Sequence, residues 1–229
     1  MIKTSLQAVL ERVREACERS GRDPGEVKVM AVTKSVSPHL IRDAVDAGLV
    51  LFGENRVQEA RKKVSEGVFQ GVSICMIGHL QTNKASMAAR VFDEVHSVDS
   101  IRVAEALDKF ASVYRSEPLP VLMEVNAGRD VAKHGVDPDD ALELARHILS
   151  LPSLRLKGMM TVAPASGGSL AARECFRTLR TLRDEMVKSG INPEYLRELS
   201  MGMSGDFDIA VEEGATIIRL GTVLFGPRS

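Results

Sequence analysis

What the 229-residue chain lacks narrows it first. It has no excess of charge: 30 Lys and Arg stand against 31 Asp and Glu, a formal net charge of −1, and no basic block interrupts the balance. Proteins that bind nucleic acid or an anionic membrane surface need such a block to neutralise phosphates, so neither kind of partner is expected. Cysteine is scarce and scattered. Cys17, Cys75 and Cys175 are odd in number and far apart, which gives neither a disulfide framework nor a zinc-binding spacing and suits a reducing cytoplasm. None of the five histidines falls in an H-x-H or H-x3-H pattern with carboxylates, so no metal is expected. A Walker-type loop, a G-x-S-x-G elbow and a Cys/His pairing are also missing, which removes the usual support for a hydrolase or a nucleotide-binding protein. The N-terminus does not read as a targeting segment. Leu6, Val9, Leu10, Val13 and Cys17 recur at helical spacing among Glu and Arg, with Thr4 and Gln7 placed as a capping box, so an amphipathic helix is expected.

What is present is ordinary for a soluble globular protein, with 44% apolar and 27% charged residues. Short runs rich in Val, Ile and Met recur at about 27–33, 49–53, 73–78, 94–98, 121–126, 156–162, 198–201 and 216–220. Few alternate apolar with polar, and most are followed by turn residues and a helical pattern, which is how a covered parallel sheet reads. Ser37 as N-cap, Pro38 at the first helical position and Gly48 as a stop illustrate the signal. Eight such units in this length predict a single (β/α)8 TIM barrel over residues 1–229, with the leading helix as an extra element. The doubly wound open sheet is the alternative, but no G-x-G-x-x-G follows the first strand.

In a barrel the functional groups gather where strands end at the C-terminal face, with a phosphate site near strands seven and eight. The period of two puts Lys34 on the face of Met30 and Val32, and Arg219 on the face of Ile217 and Gly221, so both can point into the mouth. A lysine at the edge of an apolar cavity beside an arginine is expected to lose basicity, and a neutral amine can form a Schiff base with an aldehyde. The plainer reading is a lysine that ends the strand and carries its head to water; spacing alone leaves both open. "RLGTVLFG" at 219–226 follows the last strand, and its backbone N–H groups with the Thr222 hydroxyl would cradle a phosphate. "LSMGMSGD" at 199–206 supplies a matching loop, with Ser200 as hydroxyl donor and Gly202 for close approach; the plainer reading is capping, with Ser204 or Asp206 starting the helix that Gly214 ends. Asn55 and Gln58 have capping-box spacing, so Asn55 is a cap, a ligand contact, or both. His79 and His96 are candidate bases, and Lys133 in "KHG" is either a phosphate or partner contact or solvated surface.

Taken in order, "AVTK", "FGENRVQE", "IGHLQTNK", "HSVDS", "EVNAGRDVAKHG", "GMMTVAP", "LSMGMSGDFDIAVEEGATIIRLGT" and "LFG" resemble the pyridoxal phosphate homeostasis (YggS/PROSC) family nearly end to end. That family is similar to the N-terminal barrel of alanine racemases without their C-terminal β domain. The resemblance implies a protein that holds pyridoxal 5'-phosphate (PLP) and influences the balance of B6 vitamers, without an established catalytic activity. It implies that Lys34 forms the internal aldimine, that Asn55 lies near the ring, that Ser200, Gly221 and Thr222 hold the phosphate, and that Arg219 faces the pyridine nitrogen.

Arginine keeps its proton in proteins, so it would donate to the ring nitrogen and weaken PLP as an electron sink. Racemisation by two bases would also need a second acid or base across from the lysine, and the two tyrosines, Tyr114 and Tyr195, fall away from the C-terminal face. The expected function is therefore a cytoplasmic PLP carrier or regulator that releases its cofactor by hydrolysis or by exchange with another amine. Amino acids or apo PLP enzymes are its possible partners, and a monomer is expected, with a weak dimer as the alternative. An amino-acid racemase or related PLP enzyme is the second reading, and a barrel for another phosphorylated metabolite the third.

Overall fold

The computed structural model describes residues 2–227, and among them eight strands close into a parallel barrel in sequence order, with the first strand paired to the last. The strands are β1 (Lys28–Val32), β2 (Leu51–Glu54), β3 (Ser73–Met76), β4 (Glu94–Val98), β5 (Leu119–Glu124), β6 (Leu154–Met160), β7 (Glu198–Ser200) and β8 (Ile217–Leu220). Each lies within two residues of the run expected for it. Only the fifth and sixth are displaced toward the N-terminus at both ends. Pro120 argues against a strand by sequence because it lacks an N–H, yet Leu119 donates to the Ser153 carbonyl at 2.8 Å and the Leu119–Leu154 and Pro120–Arg155 registers begin the pairing.

The connections are α2 (Pro38–Asp46), α3 (Val57–Ser65), α4 (Ala85–Val91), α5 (Ile101–Tyr114), α6 (Ala141–Leu149), α7 (Gly168–Lys188), α8 (Phe207–Glu212) and the short α9 (Thr222–Phe225), preceded by α1 (Ile2–Ser20). No described helix is long and apolar enough to cross a membrane. Helix α1 buries Leu6, Val9, Val13 and Cys17 as its periodicity predicts, and packs on α8 and α9. Two details differ. Leu10 is 45% exposed, one position off the buried stripe, and the helix is already under way at Ile2, so Thr4 and Gln7 lie within it rather than capping it. The α2 signals hold: Ser37 accepts from the Leu40 N–H, Pro38 opens the helix, and Gly48 turns out at φ +97°.

The main core lies between sheet and helices, where Phe52, Phe92, Phe176 and Phe207 are fully buried. The barrel interior is different. Met30, Cys75 and Ile217 form a small apolar plug. Around it are polar pairs: Lys157 Nζ and His96 Nε2 lie 2.7 and 3.2 Å from the Glu94 carboxylate, and Lys28 Nζ lies 2.5 Å from Glu198. Glycine is required where β6 and β7 touch, since a Cβ on Gly158 would lie 1.9 Å from the Glu198 carbonyl oxygen.

Candidate functional site

Strand β1 stops at Val32, so the pleat does not aim Lys34; a turn does. The Val36 N–H donates to the Thr33 carbonyl at 3.0 Å, which places Lys34 and Ser35 at the centre of a four-residue turn. Ser35 takes φ +59°, the left-handed conformation that turns of this kind give to their third residue. Lys34 nevertheless lines the cavity that its predicted direction pointed to. That cavity, of about 490 Å3, is walled by Val32, Ile77, Val162 and Met203 and holds Lys34, Asn55, Lys133, Ser204, Arg219, Gly221 and Thr222 among its lining residues. Three of these are cations, and no lining residue is a carboxylate, so the cavity favours an anion.

Arg219 is 4% exposed and fixed by three bonds: one guanidinium nitrogen donates to the Ser200 carbonyl and hydroxyl at 2.6 and 2.9 Å, and the other to the Thr161 carbonyl at 2.7 Å. Burial lowers its pKa to about 10, against the attraction of Glu124 and Asp206, which leaves it charged at neutral pH. Asn55 is brought to the cavity by a close crossing of backbones. A Cβ on Gly78 would lie 2.3 Å from the Asn55 carbonyl oxygen, so only glycine permits it. The Asn55 Oδ1 is buried without a hydrogen-bond partner. The capping role expected of Asn55 is not seen, because Arg56 occupies the N-cap of α3 and no side chain caps it.

At the β7–β8 edge the sequence assignment and the geometry diverge in one respect. Gly221 and Thr222 line the cavity, whereas Ser200 is fully buried beneath Arg219 and is not a lining residue. Ser204 is. Its hydroxyl gathers the N–H groups of Gly221 and Val223 at 3.3 Å each, and Asp206, not Ser204, is the N-cap of α8, with its carboxylate on the Met203 N–H at 2.6 Å. In the sequence Ser204 reads only as one of two starts for that helix.

The candidate bases lie elsewhere. His96 is buried in the barrel interior with Nδ1 unpartnered, and burial lowers its pKa against the pull of Glu94. His79 Nδ1 lies 3.1 Å from Asp99 Oδ2, and its ring stacks on His134 at 3.9 Å. Sequence spacing did not bring His79, Asp99 and His134 together, since they come from three different loops, although their donor atoms lie within 4.8 Å of one another. The rings are 12° from parallel, so their in-plane lone pairs do not converge on one point as metal ligands must. Cys75, Glu94 and His96 are also close, but the Lys157 ammonium already occupies the cation's place beside Glu94.

Residues 4–229 match the family model described as alanine racemase, N-terminal domain, which sets the class: a barrel of that type. An alanine racemase from Clostridium difficile is similar in fold at 14% identity and a TM-score of 0.73, and this chain covers 55% of it. Among curated proteins, the pyridoxal phosphate homeostasis protein of Aquifex aeolicus is 41% identical over 227 residues, spanning 97% of this chain and 96% of that one. PipY of Synechococcus elongatus has been solved without and with PLP. The two forms are 37% and 35% identical to this chain, with TM-scores of 0.86 and 0.84, and each covers 99% of it and 100% of PipY. The chain belongs to the pyridoxal phosphate homeostasis protein family.

Proposed function

We propose that this protein binds PLP in the cavity at the C-terminal ends of the strands and serves intracellular PLP homeostasis, holding the cofactor covalently through Lys34 and giving it up again. The observation that carries the reading is the composition of the cavity: a lysine, a buried charged arginine and a set of N–H and hydroxyl donors, with no lining carboxylate. The residues present fit the group. Ser204, Gly221 and Thr222 supply donors for a phosphate, Lys133 adds a cation from the loop after β5, and the unpartnered Asn55 Oδ1 awaits a ligand or water. When bound, PLP supplies an aldehyde that condenses with a primary amine, with water as the by-product.

The chain's own residues favour holding over turnover. Arg219 is locked in place and charged at neutral pH, so toward a ring nitrogen it is a donor that leaves that nitrogen unprotonated. Racemisation needs a second acid or base facing Lys34, and the lining residues include no histidine, tyrosine, cysteine or carboxylate, only Lys133. Tyr114 ends α5 and Tyr195 lies in the turn before β7. The reading extends to a cytoplasmic barrel acting as one unit, most simply a monomer, that exchanges PLP with amines or with apo enzymes.

Spectral titration with PLP tests it. The protein should acquire a visible band, borohydride should fix the cofactor on Lys34, and Lys34→Ala should abolish both. A spectrum unchanged by added PLP would refute the reading. Fast solvent deuterium exchange at the α-carbon of amino acids, dependent on Lys34, would favour the racemase alternative.

A further inference from the structure

The turn that carries Lys34 is fastened by a lysine that has no evident role in the cavity. Lys63, on α3, is 6% exposed. Its ammonium lies 2.7 Å from each of three acceptors: the Thr33 carbonyl, Glu54 Oε1 and Glu59 Oε1. An ammonium has three donors, and each is used. The two carboxylates then reach back to the turn. Thr33 Oγ1 donates to Glu54 Oε1 at 2.7 Å, and the Ser35 N–H donates to Glu59 Oε1 at 2.8 Å. Both neighbours of Lys34 in the chain are thus tied to one buried ammonium and its counter-ions. Ser35 itself is exposed and adopts φ +59°, so packing of its side chain does not enforce that conformation; the bond to Glu59 holds it.

We infer that Lys63, Glu54 and Glu59 are positioning residues that set the direction of the Lys34 side chain for capture of an aldehyde. The inference rests on Lys34 being the attachment residue. Capture joins Nζ to the aldehyde carbon as a C=N bond, and the carbonyl oxygen leaves as water with two protons from the amine; nothing is oxidised or reduced. A lysine stem is flexible, so fixing its backbone removes freedom that capture must otherwise overcome, and small misplacements of a reacting group cost one to two orders of magnitude in rate. Binding of the phosphate and ring rests on Arg219 and on the loops after β7 and β8, which these bonds do not hold. The two properties should therefore separate.

Two probes separate them: PLP, and pyridoxine 5'-phosphate, whose alcohol cannot condense. Lys63→Met and Glu59→Ala should melt cooperatively and bind pyridoxine phosphate within about twofold of wild type by calorimetry. Their capture of PLP, followed by stopped-flow absorbance and by mass spectrometry after borohydride, should be slower by about ten- to a hundredfold. Glu59→Gln, which keeps an oxygen for the Ser35 N–H, should capture faster than Glu59→Ala. If Lys63→Met does not fold, Glu59→Ala decides alone, since that side chain is 27% exposed. Capture at the wild-type rate in the folded variants overturns the inference, as does equal loss of both ligands, which marks a merely structural role. Wild-type protein that captures no PLP overturns the proposed function and this inference with it.

Discussion

Glu124 offers a quantitative test of how the barrel interior treats charge. It ends β5, is 7% exposed, and leaves Oε2 buried with no partner. Two charges act on it besides burial: Asp99 repels its carboxylate and Arg219 attracts it. Burial dominates and raises the pKa from 4.5 to about 7. A carboxyl that holds its proton more tightly when folded makes stability fall as pH rises through the window between the two values. Below about 4.5 the group is neutral in both states and costs nothing; above about 7 the whole displacement is lost, about 3 kcal/mol at about 1.4 kcal/mol per pH unit. Glu124→Gln keeps the shape and removes the titration. It should stabilise the protein by up to about 3 kcal/mol at pH 8 and by less than about 1 kcal/mol at pH 5. With no tryptophan in the chain, urea unfolding is best followed by far-UV circular dichroism, where the gain appears as a midpoint higher by about 1 M at pH 8. A variant equally affected at both pH values, or less stable than wild type at pH 8, would refute the reasoning; the second result would mean that attraction to Arg219 outweighs desolvation.

Further outcomes follow from single residues. Ser204→Ala removes the hydroxyl that gathers two N–H groups and should weaken pyridoxine phosphate binding about three- to tenfold, measured by calorimetry; a larger loss in Ser200→Ala would favour the assignment read from sequence. Gly158→Ala sets a Cβ against the Glu198 backbone and should destabilise by about 3 kcal/mol or more, seen as a lower urea midpoint or loss of soluble protein. Glu94 acts oppositely to Glu124. His96 and Lys157 outweigh its burial and lower its pKa to about 2, so it contributes stability that is full above pH 4.5 and lost as pH falls through about 2. Glu94→Gln should therefore lose about 3 kcal/mol at pH 7 and approach wild type in acid denaturation.

The barrel was legible because each layer of the sequence carries its own punctuation: a β-branched run, a turn, an N-cap, then a 3.6-residue period, as from Val29 through Ser37 to Gly48. Lys34, Arg219, Gly221 and Thr222 were legible because strand ends define one face, and that face narrows the candidates. The sequence reading is least decisive where one residue type serves two roles. Ser200 and Ser204 lie four residues apart, each with a glycine close after it, and the end of β7 at Ser200 buries one while the loop carries the other to the cavity. Asn55 and Gln58 have the spacing of a capping box, but α3 starts one residue later. Lys63 was hidden by its setting in "RVQEARKKVS", where a lysine with Glu59 four residues before it reads as an exposed helical pair. Its burial depends on Glu54, at the end of β2, and on Thr33, just past β1, and no local pattern encodes that. His79, Asp99 and His134 were likewise invisible as a group, because three loops bring them together.

The distribution of restraint around the cavity bears on holding and release. On one side, β1, β2 and α3 fix the Lys34 turn through Lys63, and on another, β7 and β8 fix Arg219 through Ser200 and Thr161. The loop between β5 and α6, which carries Lys133, is built differently. Asn126 closes it on itself, donating from Nδ2 to the Asp130 carbonyl at 2.9 Å and accepting from the Asp130 N–H at 3.0 Å. It is also tied inward, since the Asn126 N–H donates to the Val136 carbonyl at 2.9 Å, the Val136 N–H donates to the Glu124 carbonyl at 2.8 Å, and the His134 ring stacks on His79. Its outer ties are surface ones, with Arg129, itself at φ +47°, paired with Asp137 and Asp139 at exposed positions, where ion pairs are worth little. Val131, at the tip, is fully exposed. A ligand held between the two fixed walls meets this loop on a third side, where Lys133 lines the cavity and the tip lies in solvent. In a catalyst that side would have to bring a precisely placed acid or base to the reacting carbon; in a carrier it need only admit an amine or water. The buried bonds go to Arg219 and to the Lys34 turn, the two groups that the proposed holding of PLP asks to stay in place, and none goes to an acid or base across from Lys34.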